Sequence, residues 1–437
     1  MEININCDLG ESSKLHSTKN DPLLLKIVNS ANIACGYHAG DKTTMEKTIK
    51  ISKENINEAK SEFLPTITIS GYISDENTTK LTNRSGADVQ STDVKPSQES
   101  ILIEQTLFQG LGGVANLEKN SIGLELSKSR LKKVEQEILF EAIEAYTNLV
   151  VSKKKVGINI SNVNLLERQV ENDKNRLERS EINLTDLAQS EASLAGANAR
   201  LIEARNHLIT GKLNYEKTIG VINNYENLNE TYVFNYELPR SLASANKIAK
   251  KENPDLNIAI LELEQSQQDI LIARSELSPS ASLSYKITQT DDTSSSYDET
   301  DKEILKAEAS WPIFSGGKNI ASLKKSKSLR HQKQLLLEDS KKSNKASVAN
   351  AWSNFQSSKS FLTSIRSQVK AAEIANEGIT IEYESGSGRS TLDVIQSNSI
   401  LLDAKINLAN SKRDFLLSQF RLLSSIGRLT GSYLGLY

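Results

Sequence analysis

The chain repeats itself, and this duplication constrains its fold more than any other feature. Ala59-Lys-Ser-Glu-Phe-Leu-Pro65 returns as Ala273-Arg-Ser-Glu-Leu-Ser-Pro279, and each copy opens onto an alternating stretch. Phe108 and Gly110 return as Phe314 and Gly316, and Ala145 and Tyr146 as Ala351 and Trp352. Asp186 and Ser190 return as Asp393 and Ser397, and Ile219 and Gly220 as Ile426 and Gly427. The offset is 214 at the prolines, 206 at the middle landmarks and 207 beyond them. Landmarks in fixed order at near-constant spacing mean two copies of one structural unit. The first 50 residues stand outside the scheme.

Each copy combines two periodicities. In 66–73, Ile67, Ile69 and Ile73 alternate with Thr66, Thr68 and Ser70, and in 280–288 Ala281, Leu283, Tyr285 and Ile287 alternate with polar residues. That is the pattern of strands with one apolar and one wet face. Strands are expected at 65–74, 100–109, 279–288 and 304–314, joined by polar connections over 77–97 and 291–301. Runs of nine to eleven residues suit tilted strands crossing a bilayer as well as soluble hairpins. The stretches that follow favour the first reading. Residues 113–181 and 317–383 contain no proline, and Leu124, Leu131, Val134, Ile138, Ala142 and Ala145 recur at three, four and seven. Such a seam predicts coiled-coil helices about 100 Å long. Return helices are expected over 183–223 and 391–428, with a shorter pair at 239–277 divided at Pro254. Four strands cannot close a barrel within one chain, and an open edge in lipid leaves backbone groups unpaired. An oligomer sharing a β-barrel that continues into a helical tube is therefore expected.

Composition excludes some classes. The formal net charge of −2 gives no basic excess for nucleic acid. No run of 18 apolar residues is present, so no transmembrane helix is expected. The first residues show neither a basic nor an apolar leader segment, and the chain as written is expected not to be exported. Both cysteines, Cys7 and Cys35, and both methionines, Met1 and Met45, fall within the first 50 residues. A cysteine-free body suits an oxidising compartment, and a seam is expected at 51–58.

The body resembles the TolC family of outer-membrane efflux proteins over about residues 56–430. The resemblance is carried by Asn57-Glu-Ala-Lys-Ser-Glu-Phe-Leu-Pro65 before the first strand and Trp311-Pro-Ile-Phe-Ser-Gly-Gly317 after the second hairpin. It is also carried by Leu184-Thr-Asp-Leu-Ala-Gln-Ser-Glu-Ala192 and Tyr383-Glu-Ser-Gly-Ser-Gly-Arg-Ser-Thr-Leu-Asp-Val-Ile-Gln396 at the helix–helix turns. It implies a mainly α protomer with a small β part. In a homotrimer, each protomer would give four strands to an outer-membrane barrel and its helices to a periplasmic tunnel. The implied partners are outer-membrane lipid, a periplasmic adaptor and an inner-membrane ABC or RND-type pump, serving type I secretion or drug efflux. No cofactor, metal or enzymatic activity is implied.

In that family the helix turns form periplasmic tips, where adaptors dock and the tunnel narrows. Docking residues are expected at Arg179, Ser180 and Glu181 and at Gly386, Ser387 and Gly388. The family's usual glycine is missing from the first tip, where Ser180 or Glu181 replaces it. The second carries one extra residue, most simply Gly388. Asp393 matches a position where the family places an acidic ring in the constriction, which would bind or slow cations. Its alternative is a solvated residue at a helix N-terminus. A second acid one turn later is replaced by Gln396. Asp186 is the matched acid of the first tip, and Arg389 and Glu384 are candidates for gate-locking ion pairs or plain surface charges. His207 and His331 lack partner ligands, and Tyr146 and Trp352 read as packing residues.

Residues 3–12 and 30–41 resemble the start of the LamB/YcsF family of 5-oxoprolinase components, with Asp8, Glu11 and His38 at expected strand ends. The likeness stops near Glu54, about a fifth of such a domain, so no catalysis is expected from it. The implied organisation is a fragment at 1–54, a first repeat at 55–237 and a second at 238–437. Two other functions are weaker: an enzyme, which explains only 1–54, and a periplasmic coiled-coil adaptor, which would carry one hairpin and compact β domains. Asp41 can cap a helix from Lys42, and Met45, Ile49, Ser52, Ile56, Ala59 and Phe63 are spaced to carry it into the body.

Overall fold

The computed structural model describes residues 42–82, 85–86, 88–89, 92–221, 228, 236–294, 297–386 and 388–436. In chain order the elements are α1 (Lys42–Ser61), β1 (Thr66–Ile73), β2 (Glu76–Thr78), β3 (Leu81–Thr82), β4 (Asp88–Val89), β5 (Thr92–Val94), β6 (Ser97–Gln109), α2 (Gly112–Glu178) and α3 (Leu184–Thr218). They continue with α4 (Leu242–Glu252), α5 (Pro254–Ser275), β7 (Ser280–Ser294), β8 (Tyr297–Ser310), α6 (Lys318–Glu384) and α7 (Thr391–Ser425). Each of the two long helices has 67 residues, about 100 Å at the α-helical rise.

The chain divides into two compact units, one from 47–128 and 258–339, the other built mainly from 129–257 and 340–437. In the first, both hairpins merge into one antiparallel sheet of order β1-β6-β7-β8. Ile67, Ile103, Tyr285 and Leu305 lie abreast across all four strands, as do Ile69, Ile101 and Ile287 across three. The alternation read in the sequence thus becomes one continuous apolar face. That face is open: Ile73 is 80% and Leu305 71% exposed. Among the described residues, β1 and β8 are each paired along one side only. Helix α1 runs unbroken from Lys42, burying Ser52 and Ala59 at seam positions, with Ser52 Oγ 2.8 Å from Ser127 Oγ. Phe63 lies beyond its end and is exposed, and the expected cap Asp41 is outside the described residues.

Three strand expectations need correction. The polar stretch 77–97 contains two short ladders, β2–β5 and β3–β4. The 291–301 connection is largely ladder, for β7 and β8 stay paired out to Ser294 opposite Tyr297. Polar cross-strand contacts such as Gln289 Nε2 to Glu299 Oε1 at 2.7 Å support a ladder there, so the apolar alternation ends before the strand does. Conversely β8 stops at Ser310 rather than at 314, because Pro312 cannot continue a ladder.

The second unit consists of paired helices. Val134, Ala142 and Ala145 of the expected seam are buried, and Tyr146 and Trp352 are packing residues, at 6.3 Å from the Tyr215 ring and 6.0 Å from the Phe355 ring. The return helices are shorter than expected, because the repeated Ile-Gly landmark stops each one. Ile219 and Ile426 are completely buried while Gly220 and Gly427 take positive φ. Gly427 has a second constraint, since a Cβ there would lie 2.1 Å from the Glu252 carbonyl oxygen. Pro254 divides α4 from α5, and Asn253 bridges the break. Its Oδ1 accepts the Leu256 N–H at 3.1 Å, and its Nδ2 donates to Ser425 O at 2.9 Å.

Candidate functional site at the helix tips

The α2–α3 turn is closed by a Schellman motif: Ser180 N–H donates to Leu177 O and Glu181 N–H to Arg176 O, both at 2.9 Å. Ser180 sits at φ 60, the left-handed conformation that glycine adopts without a Cβ penalty. Of the two residues left open by the sequence, Ser180 therefore occupies the glycine position. At the α6–α7 turn Gly386 holds the matching place at φ 75, with its N–H donating to Tyr383 O at 3.2 Å, and Gly388 follows at φ 91. Ser387 lies outside the described residues.

Both acids expected at the constriction are capping-box residues. Asp186 N–H donates to Asn183 Oδ1 at 3.0 Å, and Asp186 Oδ2 accepts the Asn183 N–H at 3.2 Å. Asp393 forms the same reciprocal pair with Ser390, and its Oδ2 also accepts the Ser390 hydroxyl at 2.8 Å. Hydrogen bonds from the Ser390 backbone and hydroxyl, assisted by Arg389, hold the Asp393 carboxyl below its ordinary pKa. A local structural role in starting α7 is thus secured for Asp393. Arg389 pairs with Glu382 at 2.6 Å rather than with Glu384. Glu181 receives both Arg176 and Arg179, at 3.2 and 3.3 Å. Gln396 is exposed.

A buried polar hub next to the tips escaped the sequence reading. Asp173 has no exposed surface, and it accepts hydrogen bonds from Tyr383 Oη at 2.6 Å, Gln169 Nε2 at 3.0 Å and the Ser190 hydroxyl. The Tyr383 oxygen also lies 3.1 Å from Thr391 Oγ1, and the Arg176 guanidinium stands 4.4 Å over its ring. Four helices therefore meet around one carboxylate and its tyrosine. Burial and the Asp173 contact raise the Tyr383 phenol above its usual pKa. The signal was present in the sequence: Val163, Leu166, Val170 and Asp173 follow a three-four seam, and an acid at such a position demands buried partners. Beside the hub is a cavity of about 730 Å³ lined by Arg168, Arg176, Arg179, Glu181, Glu384 and Asn398, among others.

An open-edged sheet with an exposed apolar face accompanies long helix pairs ending in polar tips, an arrangement similar to that of outer-membrane efflux channels. Comparison with known proteins agrees. Residues 246–428 match the Outer membrane efflux protein family. Outer membrane efflux protein BepC of Brucella suis biovar 1 (strain 1330) is 25% identical over 390 residues, covering 89% of this chain and 82% of BepC. The fold matches crystal structures of CusC (TM-score 0.76, 16% identity, 88% of each chain). It also matches the Campylobacter jejuni CmeC outer membrane channel (TM-score 0.76, 14% identity, 89% of this chain and 83% of CmeC). Residues 3–58 match the LamB/YcsF family, ending inside α1. There a 5-oxoprolinase component of Staphylococcus carnosus (strain TM300) is 46% identical over 55 residues, but only 22% of that protein is spanned.

Proposed function

We propose that three copies of this chain form an outer-membrane exit duct, with its helix tips in the periplasm receiving an adaptor and an inner-membrane pump of the ABC or RND type. The observation that carries this reading is the four-stranded sheet with an exposed apolar face and two half-paired edge strands. In lipid each edge must find a partner, and head-to-tail pairing of β8 with the β1 of a neighbour closes a ring. Residues Arg179, Ser180, Glu181, Gly386, Ser387 and Gly388 dock the adaptor. Asp393, assisted by Asp186, Arg389 and Gln396, sets the ionic character of the constriction. Release of the Asp173–Tyr383 bond accompanies opening, since those two residues tie the first helix pair to the second.

No catalytic role is proposed for residues 1–54. The enzyme alternative rests on a match spanning about a fifth of the 5-oxoprolinase relatives, and Asp8, Glu11 and His38 lie outside the described residues. The adaptor alternative is disfavoured because both hairpins enter one sheet.

Closure is tested by placing one cysteine on each edge, Thr68→Cys and Lys306→Cys, in a chain with Cys7 and Cys35 changed to serine. Oxidation in membranes should give a covalent ladder ending at three copies. Exclusively monomeric protein across a scan of neighbouring edge positions would overturn the trimeric duct.

A further inference from the structure

We infer that the first turns of α6 form a lysine collar that holds anionic phospholipid headgroups on the helix side of the membrane. The inference rests on the membrane-embedded reading above. Residues 318–333 contain Lys318, Lys324, Lys325, Lys327, Arg330 and Lys333 and no acid, whereas the matched stretch 112–127 contains Glu118, Lys119 and Glu125. This excess is therefore not inherited from the repeat. Lys333 is occupied by Glu262 at 2.8 Å. Lys318, Lys324, Lys325 and Lys327 are exposed and make no ion pair among the described residues.

Their position singles out lipid as the partner. Directly before α6, Trp311, Ile313 and Phe314 are 63%, 85% and 86% exposed, while the Trp311 indole N–H donates to Leu277 O at 3.1 Å. An exposed aromatic and aliphatic group with one satisfied polar handle, at the end of an apolar sheet face, marks the border between hydrocarbon and headgroups. Lys318 follows Phe314 by four residues, and Lys327 lies about 14 Å further along the helix. Direction matters as much as distance. Helical side chains lean toward the helix N-terminus, which in α6 is the sheet end. These lysines therefore lean back toward the headgroups. On α1 and α5, which reach the sheet by their C-termini, the same residues would lean away. The far end of β7 and β8 is instead acidic, with Asp291, Asp298, Glu299 and Asp301, so the sheet is polarised between its two ends.

The test uses the full chain reconstituted from detergent into vesicles of phosphatidylethanolamine alone or with a minor share of phosphatidylglycerol. After gentle re-extraction, the retained lipid is measured. Phosphatidylglycerol should be enriched about fivefold or more over the bulk, as expected for lysines close to a charged headgroup layer. The combined K318Q, K324Q, K325Q and K327Q chain should lose the enrichment while inserting equally well into neutral vesicles. Absence of enrichment in the unaltered chain, or its survival in the variant, overturns the collar. Loss of oligomers in the variant without any lipid preference in the parent also overturns it, assigning the lysines to contact between copies. Failure of the unaltered chain to insert into either vesicle would instead sink the membrane reading itself.

Discussion

The two tips solve one problem with different residues. The first turn has Ser180 in the left-handed position and Asn183 as its cap. The second has Gly386 and Gly388, one more residue, and Ser390 as its cap. The carboxylate is doubly bonded to Ser390 in the second copy, and only the backbone N–H of Asn183 serves the first. The copies also divide labour, because Asp173 comes from the first and Tyr383 from the second. A duplicated fold thus keeps its capping geometry while its two halves specialise, one offering the acid and the other the phenol of a shared buried contact.

The largest effect that could break this comparison is expected at the hub. Asp173→Ala strips the acceptor from Tyr383, Gln169 and Ser190, and should destabilise the helical unit by about 3 kcal/mol. Tyr383→Phe, which removes one donor, should cost about 1–1.5 kcal/mol. Urea titration with proteolysis at the tips as readout measures both, and equal stabilities of Asp173→Ala and the parent would remove the hub's structural role.

An intermediate effect is expected from exchanging the turn residues. Gly386→Ser imposes a left-handed side chain and should destabilise the second turn by about 1 kcal/mol, whereas Ser180→Gly should relieve strain in the first by about 0.5–1 kcal/mol. Hydrogen exchange of the two tip peptides resolves the opposite signs. Like signs would mean that the turns are not equivalent in backbone shape.

The smallest and most local effects concern Asp393. Its folded pKa lies below the unfolded value near 3.8. The support it gives to α7 is therefore complete above that value and is lost as pH falls through the lowered one. Exchange at the α7 start should accelerate in that window in the parent and not in Asp393→Asn. If Asp393 also lines the constriction, the same variant weakens divalent-cation block of single-channel current more than Asp186→Asn does. Equal block in parent and Asp393→Asn would leave the carboxylate with its capping role alone.

The sequence by itself determined the duplication, the type of each long element and the burial of Val134, Ala142 and Ala145, because periodicity is local and states which face must be hidden. It also carried the clue of Asp173 at a seam position, though nothing nearby in the chain named its partner. Tertiary structure alone decided that β6 pairs with β7, that Tyr383 reaches Asp173 across 210 positions of chain, and that Arg389 selects Glu382 over Glu384. It also decided that Ser180, not Glu181, bears the left-handed strain. Periodicity specifies a surface to be buried but not the surface that covers it, and the partner is set only when distant segments pack.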